Sequence, residues 1–485
     1  MEKLENYNQK LNSWISDEKT AAELINVSSM LRFDKTIELI ILGRPLNDIG
    51  AGNILASHLF AEKTMNVPMQ VQNSLKFAKS ILANNVAPAR IDIARLNREW
   101  HSEKDIFEND PEQFIKNKLA ALIGAGPRNL KDQDVVIYGF GRIGRLAARE
   151  LITQSGNGTQ LRLRAIVTRR CSRDDLEKRA ELFLQDSVHG KFPGVVTVDY
   201  DNMFMNINGH NVKMLISDSP ENLDYAKENI TKALLIDSTG MWRDREGLSK
   251  HLEAKGISKV ILTAPGKGNI PNIVYGVNQE QEGIMDEKIV SSASCTTNAI
   301  VPALSLLENK LGIAKGHLET IHSYTNDQNL LDNYHKNMRR GRSAPLNMVI
   351  TDTGAAKAAV KAIPSLQGKL TASAIRVPTP NVSLAILMLT IKKETTLEEV
   401  NSIFYNASIK GELIEQIRYS NSAGFVSSDG VGENCTSIYD SPATQVSADG
   451  KSIVIYLWYD NEYGYTKQVI RLAKHICGVK RYRYY

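Results

Sequence analysis

Apolar positions recur along the chain in three rhythms, and each predicts a different architecture. Over residues 1–131 they fall three and four apart, as in Thr20-Ala-Ala-Glu-Leu-Ile-Asn and Gln72-Asn-Ser-Leu-Lys-Phe-Ala-Lys-Ser-Ile-Leu-Ala. That spacing lays one apolar stripe along a helix and predicts a mainly helical N-terminal extension, with its glycines concentrated at 43–52. The stretch Gly124-Ala-Gly-Pro-Arg-Asn breaks the rhythm and reads as a linker. From 132 to 294 short apolar runs alternate with helical stretches: Asp134-Val-Val-Ile-Tyr, then 161–167, 232–237 and 259–263 as strands, with 145–152 as a helix. Such alternation predicts a doubly wound, mostly parallel sheet of Rossmann type. Over 295–460 the strands lengthen, at 372–377, 381–391 and 452–458, and predict an α+β domain on an antiparallel sheet. A C-terminal segment, 461–485, completes the chain.

Composition narrows the class. With 485 residues, 42% hydrophobic and 23% charged, the chain has the make-up of an ordinary globular protein of two or three domains. It has no apolar run long enough to span a bilayer, and its first residues lack the basic start and apolar centre of a signal peptide, so a cytoplasmic location is expected. Cys171, Cys295, Cys435 and Cys477 are widely separated, which predicts neither a disulfide framework nor a metal site. The net charge of +5 is modest and does not indicate nucleic-acid binding. The basic aromatic end, Lys480-Arg-Tyr-Arg-Tyr-Tyr, reads as a frayed terminus.

Two segments carry chemistry. Gly139-Phe140-Gly141-Arg142-Ile143-Gly144 follows a strand and opens a helix, the setting that dinucleotide phosphates require. Gly139 permits the tight turn, Gly141 lets backbone approach a pyrophosphate, and Gly144 allows close helix-to-sheet packing. The next strand ends in Thr168-Arg169-Arg170 rather than in the acidic residue that holds the ribose of NAD, so NADP or dual use is expected. The second segment, Ser291-Ser-Ala-Ser-Cys-Thr-Thr-Asn, sets Cys295 between a strand at 288–292 and a helix at 299–308. There the free N–H groups favour thiolate and can cradle an oxyanion.

From 132 to 480 the chain resembles the phosphorylating glyceraldehyde-3-phosphate dehydrogenase family. The resemblance rests on YGFGRIGR, DSVHGKF, SASCTTN, HSYTNDQ, RRGRSAPLN, TGAAKA, GKLTASAIRVPTPNVS and WYDNEYGY in family order. It implies an oxidoreductase that is usually a homotetramer, taking NAD or NADP and converting D-glyceraldehyde 3-phosphate and inorganic phosphate to 1,3-bisphosphoglycerate, in glycolysis or gluconeogenesis. It implies Cys295 as nucleophile and His322 as base, through a hemithioacetal and a thioester. It points to Thr325, Asp327 and Arg376 for the substrate phosphate, and to Ser294, Thr296, Thr353, Gly354 and Arg340 for the attacking one. Thr239, Gly240, Thr263 and Asn461 join the cofactor contacts, Asn461 at the nicotinamide amide, and the last helix, about 466–476, returns to the cofactor domain. Two departures stand out: Ala299 replaces the family's second cysteine, and Ser217-Asp218-Ser-Pro replaces an arginine-bearing adenine turn. Erythrose-4-phosphate dehydrogenase shares most of these motifs, and a non-catalytic regulator retaining the fold is a third reading. No family resemblance accounts for 1–131.

Overall fold

A computed structural model describes residues 2–127 and 130–485; Arg128 and Asn129, the end of the expected linker, lie outside the described residues. The chain divides into two compact units, one of Met1–Lys131, Gly156–Gln160 and Gly478–Tyr485, the other of Asp132–Ser155 and Leu161–Cys477.

The first unit contains α1 (Glu2–Lys35), β1 (Glu38–Ile41), β2 (Arg44–Pro45), α2 (Ala51–Met65), α3 (Val71–Ala83), β3 (Ala89–Asp92), α4 (Ile93–Glu103) and α5 (Pro111–Lys118). Helical rhythm hides the strands, since β1 and β3 are four residues each and fall between helices of the same composition. Phe77, Trp100, Phe107 and Phe114 form an aromatic core with ring centroids 5.1–5.9 Å apart, and their edge-on contacts add to the apolar burial. Asp92 caps α4 by accepting from the N–H of Ala94, and its second oxygen accepts from Leu42 N–H.

The C-terminal end is not frayed. Tyr482–Tyr484 is a strand that pairs in parallel with β3 and completes a four-stranded sheet in the order β2, β1, β3, C-terminal strand. Arg481 reaches Glu38 at 3.4 Å, Arg95 stacks 4.1 Å from the Tyr484 ring centroid, and Tyr484 donates to Glu99 at 2.5 Å. These partners lie about 385–443 residues upstream, beyond the reach of any local reading.

In the second unit, the first sheet comprises β4 (Gln133–Tyr138), β5 (Leu161–Thr168), β6 (Val196–Asp199), β7 (Phe204–Ile207), β8 (His210–Ile216), β9 (Ala233–Asp237), β10 (Ile257–Leu262) and β11 (Ile289–Ser291). Helices α6 (Arg142–Gln154), α7 (Arg173–Leu184) and α8 (Arg245–Glu253) accompany it. The strand order is β11, β10, β9, β4, β5, β8, β7, β6, with β6, β7 and β8 forming an antiparallel ribbon at the edge. Buried on both faces, β4 needs an unbroken apolar run, as Val135-Val-Ile137 supplies. Its neighbours β5 and β9 are reached in opposite directions, which opens a crevice at the strand ends.

The second sheet follows α9 (Cys295–Lys310). Its elements are β12 (Ile313–Ser323), β13 (Val349–Thr351), α10 (Ala355–Ala362), β14 (Leu370–Val377), β15 (Ser383–Ile391), α11 (Leu397–Ile409), β16 (Ile417–Ser420), β17 (Ser437–Asp440), β18 (Gln445–Val446) and β19 (Ser452–Tyr459). It is mixed rather than purely antiparallel, because β14 runs parallel to β12 and β16 parallel to β17. Ile300, Leu304 and Leu307 of α9 share one core with Leu387, Leu389, Ile455 and Leu457 of the sheet. The last helix, α12 (Tyr463–Ile476), packs on α6, where the buried pair Lys467 and Glu150 joins them.

Candidate active site

The cofactor crevice is a cleft of about 510 Å³ lined by Gly139, Phe140, Gly141, Thr168, Arg169 and Thr239, with Arg170, Arg179, Asp218, Met241 and Trp242. Each glycine has a spatial reason. Gly139 sits at φ +96, a Cβ on Gly144 would stand 2.3 Å from the Gly139 carbonyl oxygen, and a Cβ on Gly141 would project into open space. Gly141 also starts α6 without a side-chain cap, so the first N–H groups of that helix, those of Arg142 and Ile143 among them, face the turn as anion donors. A dinucleotide phosphate fits this cradle. Asp237, fully buried, accepts from Thr239 N and Oγ1 at 2.8 and 2.7 Å and so fixes the far wall.

Other expected cofactor residues are placed differently. The Arg142 side chain is withdrawn from the cleft: Glu462 accepts from its Nε and Nη2 at 2.5 and 2.6 Å, and Asp186 accepts from Nη1 and Nη2 at 3.2 Å each. Ile143, Gly144, Gly240, Thr263 and Asn461 are likewise absent from its wall. Thr263, the residue after β10, donates through Oγ1 to the Asp237 carbonyl, and Gly240 turns at φ +64. Asn461 is held by its oxygen, which accepts from Ser323 Oγ at 2.7 Å and Ser383 Oγ at 2.9 Å. That arrangement leaves the Nδ2 donors for a ligand carbonyl.

Cys295 stands at the first turn of α9, as strand, tight turn and helix succeed one another. Ala293 adopts φ +57, and Ser291 Oγ accepts from its N–H at 2.9 Å. A non-glycine residue in that region is strained, and strain of this kind is kept where the surroundings over-determine it. Tyr465 of α12 supplies some of that support, bonding Ser292 Oγ at 2.8 Å and donating to the Ala293 carbonyl at 3.0 Å. Ser294 Oγ is occupied as the cap of α9, accepting from Thr297 N–H at 3.1 Å, and Thr296 Oγ1 bonds Tyr459 OH at 3.0 Å.

His322 is the penultimate residue of β12, with Nε2 3.6 Å from Cys295 Sγ. The parallel register of β12 and β14 sets it directly beside Arg376. Its Nδ1 lies 2.7 Å from the Ser323 carbonyl oxygen and 2.6 Å from Arg376 Nη1. These neighbours demand opposite tautomers: the carbonyl accepts only from Nδ1–H, whereas the guanidinium donates only to a bare Nδ1. Burial, then the charges of Arg376 and Arg340, push the imidazole down to about 3. Cys295 is only partly shielded from solvent, yet dense surroundings push its thiol up, against Arg376 and the N–H of Thr296, which pull it down. Without substrate the pair is therefore a thiol and a neutral imidazole, not the ion pair that a histidine of ordinary pKa would form.

Of the expected phosphate residues, Arg340 and Asp327 bind one another, and Arg340 Nε also donates to Thr351 Oγ1 at 2.8 Å. Thr325 lies in the turn after β12, where its carbonyl accepts from Gln328 N–H. Thr353 and Gly354 form the start of α10, Thr353 Oγ1 accepting from Ala355 N–H at 3.2 Å. Among the described residues no hydrogen bond links Thr353 or Gly354 to Cys295. Sequence reasoning missed Tyr459, Tyr465, Arg179, Asp237 and the two serines that hold Asn461; Tyr459, Tyr465, Ser323 and Ser383 lie within the quoted motifs, but nothing in those motifs signals the partner each meets across the fold.

Comparison with known proteins adds the lineage. Residues 133–245 match the glyceraldehyde 3-phosphate dehydrogenase NAD binding domain, and 294–461 match the C-terminal domain. The chain is 46% identical over 459 residues to a glyceraldehyde-3-phosphate dehydrogenase-like protein of Pseudomonas aeruginosa, covering 94% of this chain and 98% of that one. The chain belongs to the glyceraldehyde-3-phosphate dehydrogenase family. It is a nicotinamide-dependent dehydrogenase of that family. The glyceraldehyde-3-phosphate dehydrogenases of Zymomonas mobilis and Geobacillus stearothermophilus are each 40% identical, covering 70% and 71% of this chain and 97% and 98% of their own. At 94% coverage the Pseudomonas match takes in most of the first 131 residues as well.

Proposed function

We propose that the chain oxidises D-glyceraldehyde 3-phosphate with inorganic phosphate to 1,3-bisphosphoglycerate, with Cys295 as nucleophile and His322 as base. The approach of Cys295 Sγ to His322 Nε2 at 3.6 Å, with Arg376 on the far side of the ring, carries this reading. A substrate phosphate that engages Arg376 draws its N–H away from Nδ1. The imidazole proton then rests on Nδ1 against the Ser323 carbonyl, and bare Nε2 faces the thiol, the tautomer a base needs. Cys295 loses its proton to Nε2 as sulfur bonds to the aldehyde carbon, and Nε2–H passes that proton to the new alkoxide oxygen, giving a hemithioacetal and restoring the neutral imidazole. Nicotinamide bound in the cleft supplies the acceptor for the hydride that leaves this carbon. His322 takes the hydroxyl proton as the thioester forms, and the first N–H groups of α9 hold the developing oxyanion. A phosphate oxygen then attacks the thioester carbon and the Cys295 thiolate leaves. Asp327, a carboxylate, serves phosphate only by orienting Arg340.

Three guanidinium groups, Arg169, Arg170 and Arg179, face one carboxylate, Asp218, in the cleft wall. That balance favours a 2′-phosphate and hence NADP, with NAD as second cofactor. Leu330, Leu331, Tyr334, Met338, Leu346 and Met348 stand 72–90% exposed in one segment, more apolar side chain than a solitary subunit leaves in water, and support a homo-oligomer. One assay tests the reading: oxidation of glyceraldehyde 3-phosphate with NAD and NADP, each with and without phosphate, for the wild type and Cys295→Ser. Phosphate-dependent turnover, faster with NADP and abolished in the variant, is expected. Activity surviving in Cys295→Ser would overturn the mechanism, and a large preference for NAD would overturn the cofactor reading alone.

A further inference from the structure

Helix α1 carries apolar side chains on two faces. One face, with Ala21, Leu24, Ser28 and Leu31 buried, belongs to the core that α1 shares with α2 and α3. On another, Tyr7, Leu11, Trp14, Ile15 and Phe33 remain 40–60% exposed. At about 100° per residue, 7, 11 and 14 fall within roughly 60° of one another, and 15 and 33 flank them on the same side. Residues 6–16 are exposed throughout although all are helical. A helical stretch below about 12–15 residues is marginal in water unless something packs on it. Both the stripe and the helix it rides on are thus incomplete in a single chain.

We propose that residues 7–18 of this face pair with α1 of a second copy of the chain, the two helices running antiparallel and Phe33 lying beyond the contact. The spacing 7, 11, 14 is that of a coiled-coil seam, and Lys10 and Asp17 occupy the same flank of it, one heptad apart. When Leu11 lies opposite Trp14 of the second copy, an antiparallel pair brings Lys10 of each helix to Asp17 of the other. Two symmetric ion pairs then close the ends of one isologous contact. Tyr7 comes opposite Glu18, where its hydroxyl can donate to the carboxylate. A parallel pair sets Lys10 and Asp17 against Ile15 and Ala22 of the second copy, and neither charge finds its opposite. Asp17 already accepts from Gln72 at 2.6 Å through one oxygen, which orients the carboxylate and leaves the second oxygen for lysine. The contact adds to any made by Asp132–Cys477 and uses surface outside the dehydrogenase machinery.

Cross-linking of the full chain tests this. In Lys10→Cys/Asp17→Cys a short bismaleimide should yield a covalent dimer. In Gln9→Cys/Ser16→Cys, on the opposite face of the helix, it should not, and wild type under the same conditions sets the background from native cysteines. Adding Trp14→Glu to the first variant should abolish the product while dehydrogenase activity stays unchanged. In sedimentation velocity, Lys10→Glu and Asp17→Lys alone should each weaken self-association roughly tenfold, because like charges meet at both ends, and Lys10→Glu/Asp17→Lys together should restore it. Absence of the covalent dimer, equal cross-linking on both faces, or failure of the double reversal to restore association would overturn the proposal.

Discussion

Arg376→Met isolates the charge that tunes the nucleophile. The 3.6 Å and 2.6 Å contacts on opposite sides of the His322 ring place the guanidinium within about 8 Å of the Cys295 sulfur. A unit charge at that distance is worth about 2 kcal/mol at an effective dielectric constant near 20. Arg376 is foremost among the groups that pull the thiol down against its burial, so its removal raises the thiol pKa. The thiolate fraction at fixed pH then falls about 30-fold. A more basic thiolate is also intrinsically more reactive, with a Brønsted coefficient of about 0.4–0.5, which recovers part of the loss. Alkylation of Cys295 at neutral pH should therefore slow by about six- to eightfold. Methionine also frees Nδ1–H to donate to the Ser323 carbonyl, so that bare Nε2 holds the thiol proton and reinforces the effect. The assay is pseudo-first-order alkylation by iodoacetamide, an uncharged reagent, followed by mass spectrometry of the peptide bearing Cys295, in the absence of substrate. An unchanged or faster rate in Arg376→Met would refute the electrostatic account.

Gly144→Ala should cost about 1–3 kcal/mol and weaken dinucleotide binding, because its Cβ would stand 2.3 Å from the Gly139 carbonyl oxygen; thermal unfolding with and without cofactor reads both effects. Lys467→Met should destabilise by about 3–5 kcal/mol by leaving Glu150 buried without its countercharge, and Lys467→Met/Glu150→Leu should recover most of the loss in urea denaturation. Asp92 is pushed up to about 6 by burial, outweighing the N–H groups of Ala94, Leu42 and Arg95 and the charge of Arg90. Its raised native pKa means that stability is fully present below about 4 and is lost as pH rises toward and through 6, by about 3 kcal/mol. Hydrogen exchange at the Leu42 and Ala94 amides should quicken over that window.

The glycine turn, the β4 strand and the helix start at Cys295 are local matters: they depend on which backbone angles a residue tolerates and on apolar spacing over a few positions. Each is legible in some ten consecutive residues, and each stands in the fold where the pattern puts it. Asp92 and the short strands of the first unit are local too, but four residues carry too little periodicity to be told from the helices around them. The relations between distant segments are of another kind. Arg376 meets His322 because β14 pairs in parallel with β12, and one residue of slip would turn the guanidinium to the opposite face of the sheet. Arg142, read from its motif as a cofactor residue, is captured by Glu462, 320 residues away, and the C-terminal end becomes a strand because β3 presents an edge to it. The consequence reaches the chemistry. Sequence identifies a thiol and an imidazole, but burial and the guanidinium beside them, both products of tertiary packing, make the resting pair neutral and leave Arg376 to govern when the proton moves.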